Sequence, residues 1–238
     1  MGVAQRNVSD SVVILTGPPG CGKGTFGNLL HSHLMTQGHF MSYLFEMGGA
    51  CRQLFKNENL DQFEKDLYTE IPWEVMQSGG ILPDELILKL FFYRMKKQIK
   101  MSKEYGLQNL NRSSIFIIDG IPRTESQSSQ ILANMFSSEW GIGYKNVVTV
   151  NFDLPTNICL ERLERRAIKE GRTDDKDKKT RSNRMLEYNI HRESVLSVLA
   201  KHTRIFDEIL DGSECPEAVF QMVSKMVMPV LDEIRSKK

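Results

Sequence analysis

Nine consecutive residues, Gly17, Pro18, Pro19, Gly20, Cys21, Gly22, Lys23, Gly24 and Thr25, have the types and spacing of a phosphate-binding loop. Glycines let the backbone curl until successive N–H groups converge on phosphate oxygens, and the positive end of a following helix strengthens the attraction. Lys23 supplies a mobile positive charge to the terminal phosphates of a nucleoside triphosphate, and Thr25 offers a hydroxyl on the side of a bound Mg²⁺. The generic pattern places Ser or Thr directly after the lysine, whereas Gly24 intervenes here. A glycine turn that merely joins strand to helix is the plain alternative, and the lysine at the helix mouth argues against it.

Two further groups extend the chemistry. Asp119 closes an apolar run and leads into Gly120, Ile121, Pro122 and Arg123. A carboxylate at the end of a strand beside a phosphate loop is where Mg²⁺ is held in this architecture, though it also serves to cap a helix. Arg162 and Arg166 lie one helical turn apart, Arg172 follows, and Arg184 stands beyond a charged stretch over 170–182. That stretch reads on composition as a solvated surface loop, but the four arginines in and around it could converge on one anion. Nothing resembles a nucleophile with its base: His31, His33, His39, His191 and His202 are scattered. A hydroxyl or water acceptor calls for a positioned base, while a phosphate is already ionised and needs only alignment and charge neutralisation. The residues therefore point to phosphoryl transfer onto a phosphate.

The elements that must position these groups follow from periodicity. Apolar runs at 12–15, 41–45, 115–118 and 147–152 read as buried strands, and 205–210 as a fifth, interrupted by Asp207 and Glu208. Helices are expected after Lys23, over 84–103 behind Pro83, from Pro155 to 170, and from 217 with a stripe of Val219, Val223, Met226, Val230 and Ile234. Residues 50–77 read as helical, with loosely spaced apolar positions, and as an appendage rather than core. Ser78, Gly79 and Gly80 end that stretch. Strands alternating with helices predict an α/β fold with a parallel sheet covered on both faces. Right-handed crossovers then put the phosphate loop and Asp119 at the same end of the sheet.

Composition narrows the function classes. With 31 basic and 30 acidic side chains in 238 residues, the net charge of +1 gives no global reason to expect nucleic acid or an acidic membrane as partner. Cys21, Cys51, Cys159 and Cys215 form neither a metal-ligand pair nor a secreted disulfide framework, which fits a reducing compartment. Residues 1–10 lack an apolar signal core, and no run approaches the ~20 apolar residues that span a bilayer. A soluble, cytoplasmic protein is expected.

Three separated motifs resemble the adenylate kinase family of nucleoside monophosphate kinases. They are the 17–25 loop with its Gly-Lys-Gly-Thr ending, Asp119-Gly120-Ile121-Pro122-Arg123-Thr124 with Gln127, and Gly171-Arg172-Thr173-Asp174-Asp175 flanked by Arg162, Arg166 and Arg184. The resemblance spans 12–227. It implies one P-loop kinase domain over 1–238, a three-layer α/β fold with a central five-stranded parallel sheet. The core would be 10–45, 84–170 and 183–238, with a helical monophosphate-binding insertion at 46–83 and a short lid at 171–182.

By the same resemblance, Gly17, Gly20, Cys21, Gly22, Lys23, Gly24, Thr25 and Arg162 would bind ATP, with Arg162 against its base. Thr25 and Asp119 would hold Mg²⁺, Asp119 through water. Gly48, Arg52, Gly120, Arg123 and Gln127 would bind the monophosphate, Gln127 reading its base. Lys23, Arg123, Arg166, Arg172 and Arg184 would be catalytic, and Asp174 and Asp175 belong to the lid. The implied reaction is ATP + AMP = 2 ADP, in a monomer without nucleic-acid or membrane partners. The chain departs from the family where Thr-Gly-Asp becomes Met47-Gly48-Gly49, where Gly80 replaces a lysine, Phe26 a glutamine and Ala167 a glycine, and in insertions near 56–70 and 97–112. A UMP or CMP kinase, or a catalytically weak nucleotide-binding protein, are the alternatives.

Overall fold

Five short runs of β-branched, aromatic and other apolar residues form β1 (Ser11–Thr16), β2 (Phe40–Glu46), β3 (Ser113–Asp119), β4 (Val147–Asp153) and β5 (Arg204–Ile209). The computed structural model describes residues 10–104, 112–137, 140, 142–175, 177–210 and 214–236. The expectation of no signal core over 1–10 therefore lies almost wholly outside the described residues, as does part of the 97–112 insertion. The strands make one sheet in the order β2-β3-β1-β4-β5, with every neighbouring pair parallel. This is the α/β, P-loop type of architecture that the sequence predicts.

Every residue of β1 is buried, as a central parallel strand requires. Val12 and Ile14 face one hydrophobic cluster, Val13 and Leu15 the other, so the sheet separates two cores. Asp207 and Glu208 are accommodated because β5 is an edge strand. Asp207 also accepts a hydrogen bond from Asn151 Nδ2 at 2.8 Å.

Helices α1 (Lys23–Thr36), α5 (Asp84–Glu104), α6 (Glu125–Phe136), α7 (Thr156–Glu170), α8 (Lys178–His202) and α9 (Pro216–Ser236) cover the sheet, and α2 (Met47–Phe55), α3 (Gln62–Glu70) and α4 (Trp73–Gln77) fill the 46–83 segment. That segment is more than an appendage. Leu54 and Leu67 are buried in the same cluster as Val12 and Phe116, because α2 starts directly from the end of β2 and folds back over the sheet. Its α3 opens with a reciprocal capping box between Asp61 and Glu64. The same two carboxylates pair with Lys97 and Arg94 of α5. On α9 the fully buried positions are Val223, Val227, Leu231 and Ile234, one residue along from the expected Met226 and Val230. Among the described residues, no helix is long and apolar enough to cross a membrane.

The charged stretch over 170–182 differs most from its compositional reading. A 3-10 turn occupies Thr173–Asp175, and α8 begins at Lys178, where the Asp177 side chain accepts from Thr180 N at 2.8 Å. Asp175 is fully buried and Arg181 nearly so. Asp175 pairs with Arg166 and Arg184, and Arg181 with Glu164, so each leaves water with a partner of opposite charge.

Candidate active site

The loop between β1 and α1 is wedged between β4 and α7. A Cβ on Gly17 would stand 2.5 Å from the Phe152 carbonyl oxygen, and one on Gly20 2.6 Å from that of Cys159. Both glycines also adopt positive φ, so two independent constraints demand them. Gly22 provides the N-cap of α1 at φ 105°. Lys23 Nζ donates to the carbonyls of Gly17 at 2.7 Å and Pro18 at 2.8 Å, and to Cys21 Sγ at 3.3 Å. The ammonium thus lies across the mouth of the loop, in reach of whatever the backbone N–H groups hold.

A cleft of about 690 Å³ opens from this loop. The topology places Asp119 beside it, because β3 neighbours β1 and Asp119 is in register with Leu15. Every ATP-site residue named from the sequence lines the cleft, as do Gly48, Arg52, Asp119, Gly120, Arg123, Arg166, Arg172 and Arg184. Gln127 and Asp174 line a smaller adjoining hollow that shares Gly48, Arg52, Gly120, Arg123 and Arg184 with the larger one. Asp175 is buried beneath both arginine groups.

Three of the arginines, Arg184, Arg166 and Arg52, are held by two carboxylates. Arg184 Nη1 donates to the Asp174 carbonyl at 3.1 Å, to Asp174 Oδ2 at 3.0 Å and to Asp175. Arg166 Nε donates to Asp175 Oδ2 at 2.8 Å, and Arg52 reaches Asp174 Oδ2 at 3.5 Å. Burial lowers the Arg184 guanidinium to about 10, against the pull of Asp175 and Asp174. Burial also lowers Arg172, reinforced by the like charges of Arg166 and Arg52. Burial pushes the Asp174 carboxyl up, but Arg184, Arg52 and Arg172 outweigh it and hold the group below its ordinary value. Cations destabilised by one another in a half-buried cleft form a site that favours an added anion. Arg181 turns away, donating to Glu164 Oε1 at 3.0 Å and the Asp175 carbonyl at 2.9 Å, whereas Arg184 and, farther along the same helix, Arg192 line the cleft.

Asp119 is 7% exposed and carries no hydrogen bond or ion pair among the described residues. Burial raises its carboxyl, helped by Glu46 and opposed by Lys23 and Arg123. Mg²⁺ prefers oxygen ligands, retains several waters and is held by one or two carboxylates together with substrate phosphates. An unpartnered carboxylate at the cleft wall and the Thr25 hydroxyl, both oxygen donors, fit such an ion.

No protein-family model matches the chain. It is similar to adenylate kinase of Encephalitozoon cuniculi, 25% identical over 217 residues that cover 91% of this chain and 98% of that protein. Adenylate kinase of Leptospira biflexa is 29% identical over 180 residues, 74% of this chain and 79% of that one. The mitochondrial GTP:AMP phosphotransferase of Saccharomyces cerevisiae is 29% identical over 156 residues, 66% and 58% respectively. The chain is thus similar to adenylate kinases and to a GTP:AMP phosphotransferase over most of its length.

Two residues in or behind this cleft escaped the sequence reading. Glu46 ends β2 in register with Asp119, and its carboxylate stands 3.9 Å from Arg52 Nη2. A Cβ on Gly24 would meet Asp119 Oδ2 at 3.3 Å and Glu46 Oε1 at 3.7 Å, so both carboxylates crowd the same glycine. A charged residue closing an apolar strand was the available signal, as it was for Asp119. The other is Asp84, the first residue of α5, which accepts from Thr124 Oγ1 at 2.8 Å and Gln127 Nε2 at 2.7 Å. Sequence pattern explained Asp84 fully as a helix-start residue, and its partners are 40 and 43 positions away.

Proposed function

We propose that the protein transfers the γ-phosphoryl group of ATP to a nucleoside monophosphate, with AMP as the acceptor, giving two ADP. The observation that carries this reading is the convergence of Lys23, Arg52, Arg123, Arg166, Arg172 and Arg184 on one cleft beside the phosphate loop. The loop N–H groups and Lys23 grip the donor phosphates, and Arg162 lies against the donor base. Arg52 and Arg123 grip the acceptor phosphate. Arg166, Arg172 and Arg184 surround the group in flight, where charge spreads over its oxygens and fixed cations stabilise it most. Their present carboxylate partners, Asp174 and Asp175 for Arg166 and Arg184 and Glu170 for Arg172, keep them positioned until the phosphates arrive. Mg²⁺, held by Thr25 and by Asp119 through water, would neutralise charge on the donor phosphates.

In this proposal residues 46–83 form the monophosphate-binding insertion and 171–182 the lid. Closure of the lid excludes water, so ATP is not hydrolysed. The choice of AMP is supported by Gln127, whose amide can pair with the adenine edge. Met47, buried at the start of α2, puts a thioether where the family pattern has a hydroxyl. A monomer acting in the cytoplasm completes the reading, in keeping with four cysteines that form no disulfide. The test is ADP production from Mg-ATP with a panel of AMP, UMP, CMP and GMP. AMP-dependent ADP formation that collapses in Lys23→Ala is expected. Tight ATP binding without turnover of any monophosphate would overturn the proposal in favour of a nucleotide-binding protein.

A further inference from the structure

The Gln127 side chain is 1% exposed at the wall of the smaller hollow, and both ends of its amide are already engaged. Oε1 accepts from Arg123 N at 2.7 Å, and Nε2 donates to Asp84 Oδ1 at 2.7 Å. The second Asp84 oxygen accepts from Thr124 Oγ1 at 2.8 Å, and Thr124 Oγ1 in turn accepts from Gln127 N at 3.1 Å. Asp84, Thr124 and Gln127 close a ring of hydrogen bonds, with Arg123 N as a branch from it, that joins the first turn of α5 to the β3–α6 connection.

The two partners of the amide are chemically one-sided. A carboxylate only accepts and a backbone N–H only donates, so turning the amide over would set oxygen against oxygen and N–H against N–H. Its orientation is fixed before any ligand arrives. One N–H and one lone pair remain, and their places cannot be exchanged. A base edge with an amino group beside an unprotonated ring nitrogen, as in adenine, complements such a pair in one alignment. An edge with an oxo group beside a ring N–H presents the reverse pattern and meets like groups.

We infer that Asp84 is a positioning residue that fixes the Gln127 amide, and so makes the acceptor site choose amino-bearing bases over oxo-bearing ones. This rests on the proposed monophosphate kinase activity, in which Gln127 faces the acceptor base. Asp84 touches neither phosphate. Arg123 is anchored separately, with Nε donating to the Gly120 carbonyl at 2.8 Å, so loss of Asp84 loosens base choice rather than the phosphate grip.

The experiment compares AMP with inosine monophosphate, which replaces the amino group and bare ring nitrogen of adenine by an oxo group and a ring N–H. In Asp84→Ala the ratio of kcat/KM for AMP over inosine monophosphate is expected to fall about tenfold or more. The change should lie in KM for AMP far more than in kcat. Asp84→Asn, which keeps the shape but offers both a donor and an acceptor, is expected to lower the ratio by a smaller factor and serves if the alanine variant does not fold. Equal factors for both nucleotides in the variant that folds, or a wild-type preference for inosine monophosphate, UMP or GMP, would overturn the inference while leaving the kinase reading in place. Absence of turnover with every monophosphate in the wild type would remove both.

Discussion

At the phosphate-loop end of the cleft, nine consecutive residues set the geometry. The opposite end is put together from α2, the first turn of α5, the β3–α6 connection and the 3-10 turn before α8. The first end works through backbone: at Gly17 and Gly20 a Cβ would stand 2.5 and 2.6 Å from neighbouring carbonyls, and the loop N–H groups need no side chain to aim them. The second works through side chains that depend on partners far along the sequence, such as Arg52 with Asp174, 122 positions away. A backbone site is rigid and general, binding phosphate whatever its nucleoside. A side-chain site is adjustable, and there specificity can drift while the fold stays intact. The departures at Met47, Gly49 and Gly80 all fall on that adjustable side.

The largest expected effect tests whether the acceptor end is electrostatic. Arg123→Ala should slow turnover about 10²–10³-fold, the ~2.7–4 kcal/mol that one such stabiliser supplies, with little change in melting temperature. Turnover within twofold of wild type would show that the cation is dispensable. Matched glycine substitutions then separate the two ends directly. Gly20→Ala meets a backbone oxygen and a positive φ, and should cost about 2–3 kcal/mol in a urea titration. Gly48→Ala meets only the end of the Arg52 side chain at 3.2 Å, within a helix. It should cost nothing or gain up to about 1 kcal/mol, and show itself as a raised KM for the monophosphate. Equal destabilisation by both would erase the distinction.

The smallest effect concerns Asp119. Its carboxyl is raised in the folded protein, so the charged form opposes folding and that penalty grows as pH rises through the folded value. Asp119→Asn should therefore melt higher than wild type at pH 7, with the gain vanishing below the ordinary carboxylate range, even as phosphoryl transfer slows. A melting temperature unchanged or lowered at pH 7 would contradict the assigned burial penalty.

What could be read from sequence follows the same division. The loop, the place of Asp119 at the loop's end of the sheet and the parallel strands rest on local patterns of two to nine residues, and all appear where expected. The arginine cluster was legible as residue types, but its arrangement was not, because composition over 170–182 signals solvent while Asp175 and Arg181 are buried by pairing with Arg166, Arg184 and Glu164. Leu54 and Leu67 were read as peripheral because their helices are short and loosely patterned, although they join the core beneath the sheet. Asp84 and Glu46 each had a sufficient local explanation, one as a helix start and one as a strand end. The partners of Asp84 and the sheet neighbour of Glu46 lie tens of positions away, where no periodicity points.

The length of α8 has a mechanical consequence. Its 25 residues run from the arginine cluster, where Arg184 sits, to Thr203 at the foot of the edge strand. An unbroken helix of that size is a rod of roughly 37 Å, so a tilt of one degree about its cleft end carries the other end by roughly 0.6 Å. The rod therefore magnifies small rearrangements around the phosphates. A spectroscopic distance label near its far end would read them from outside, without occupying the cleft.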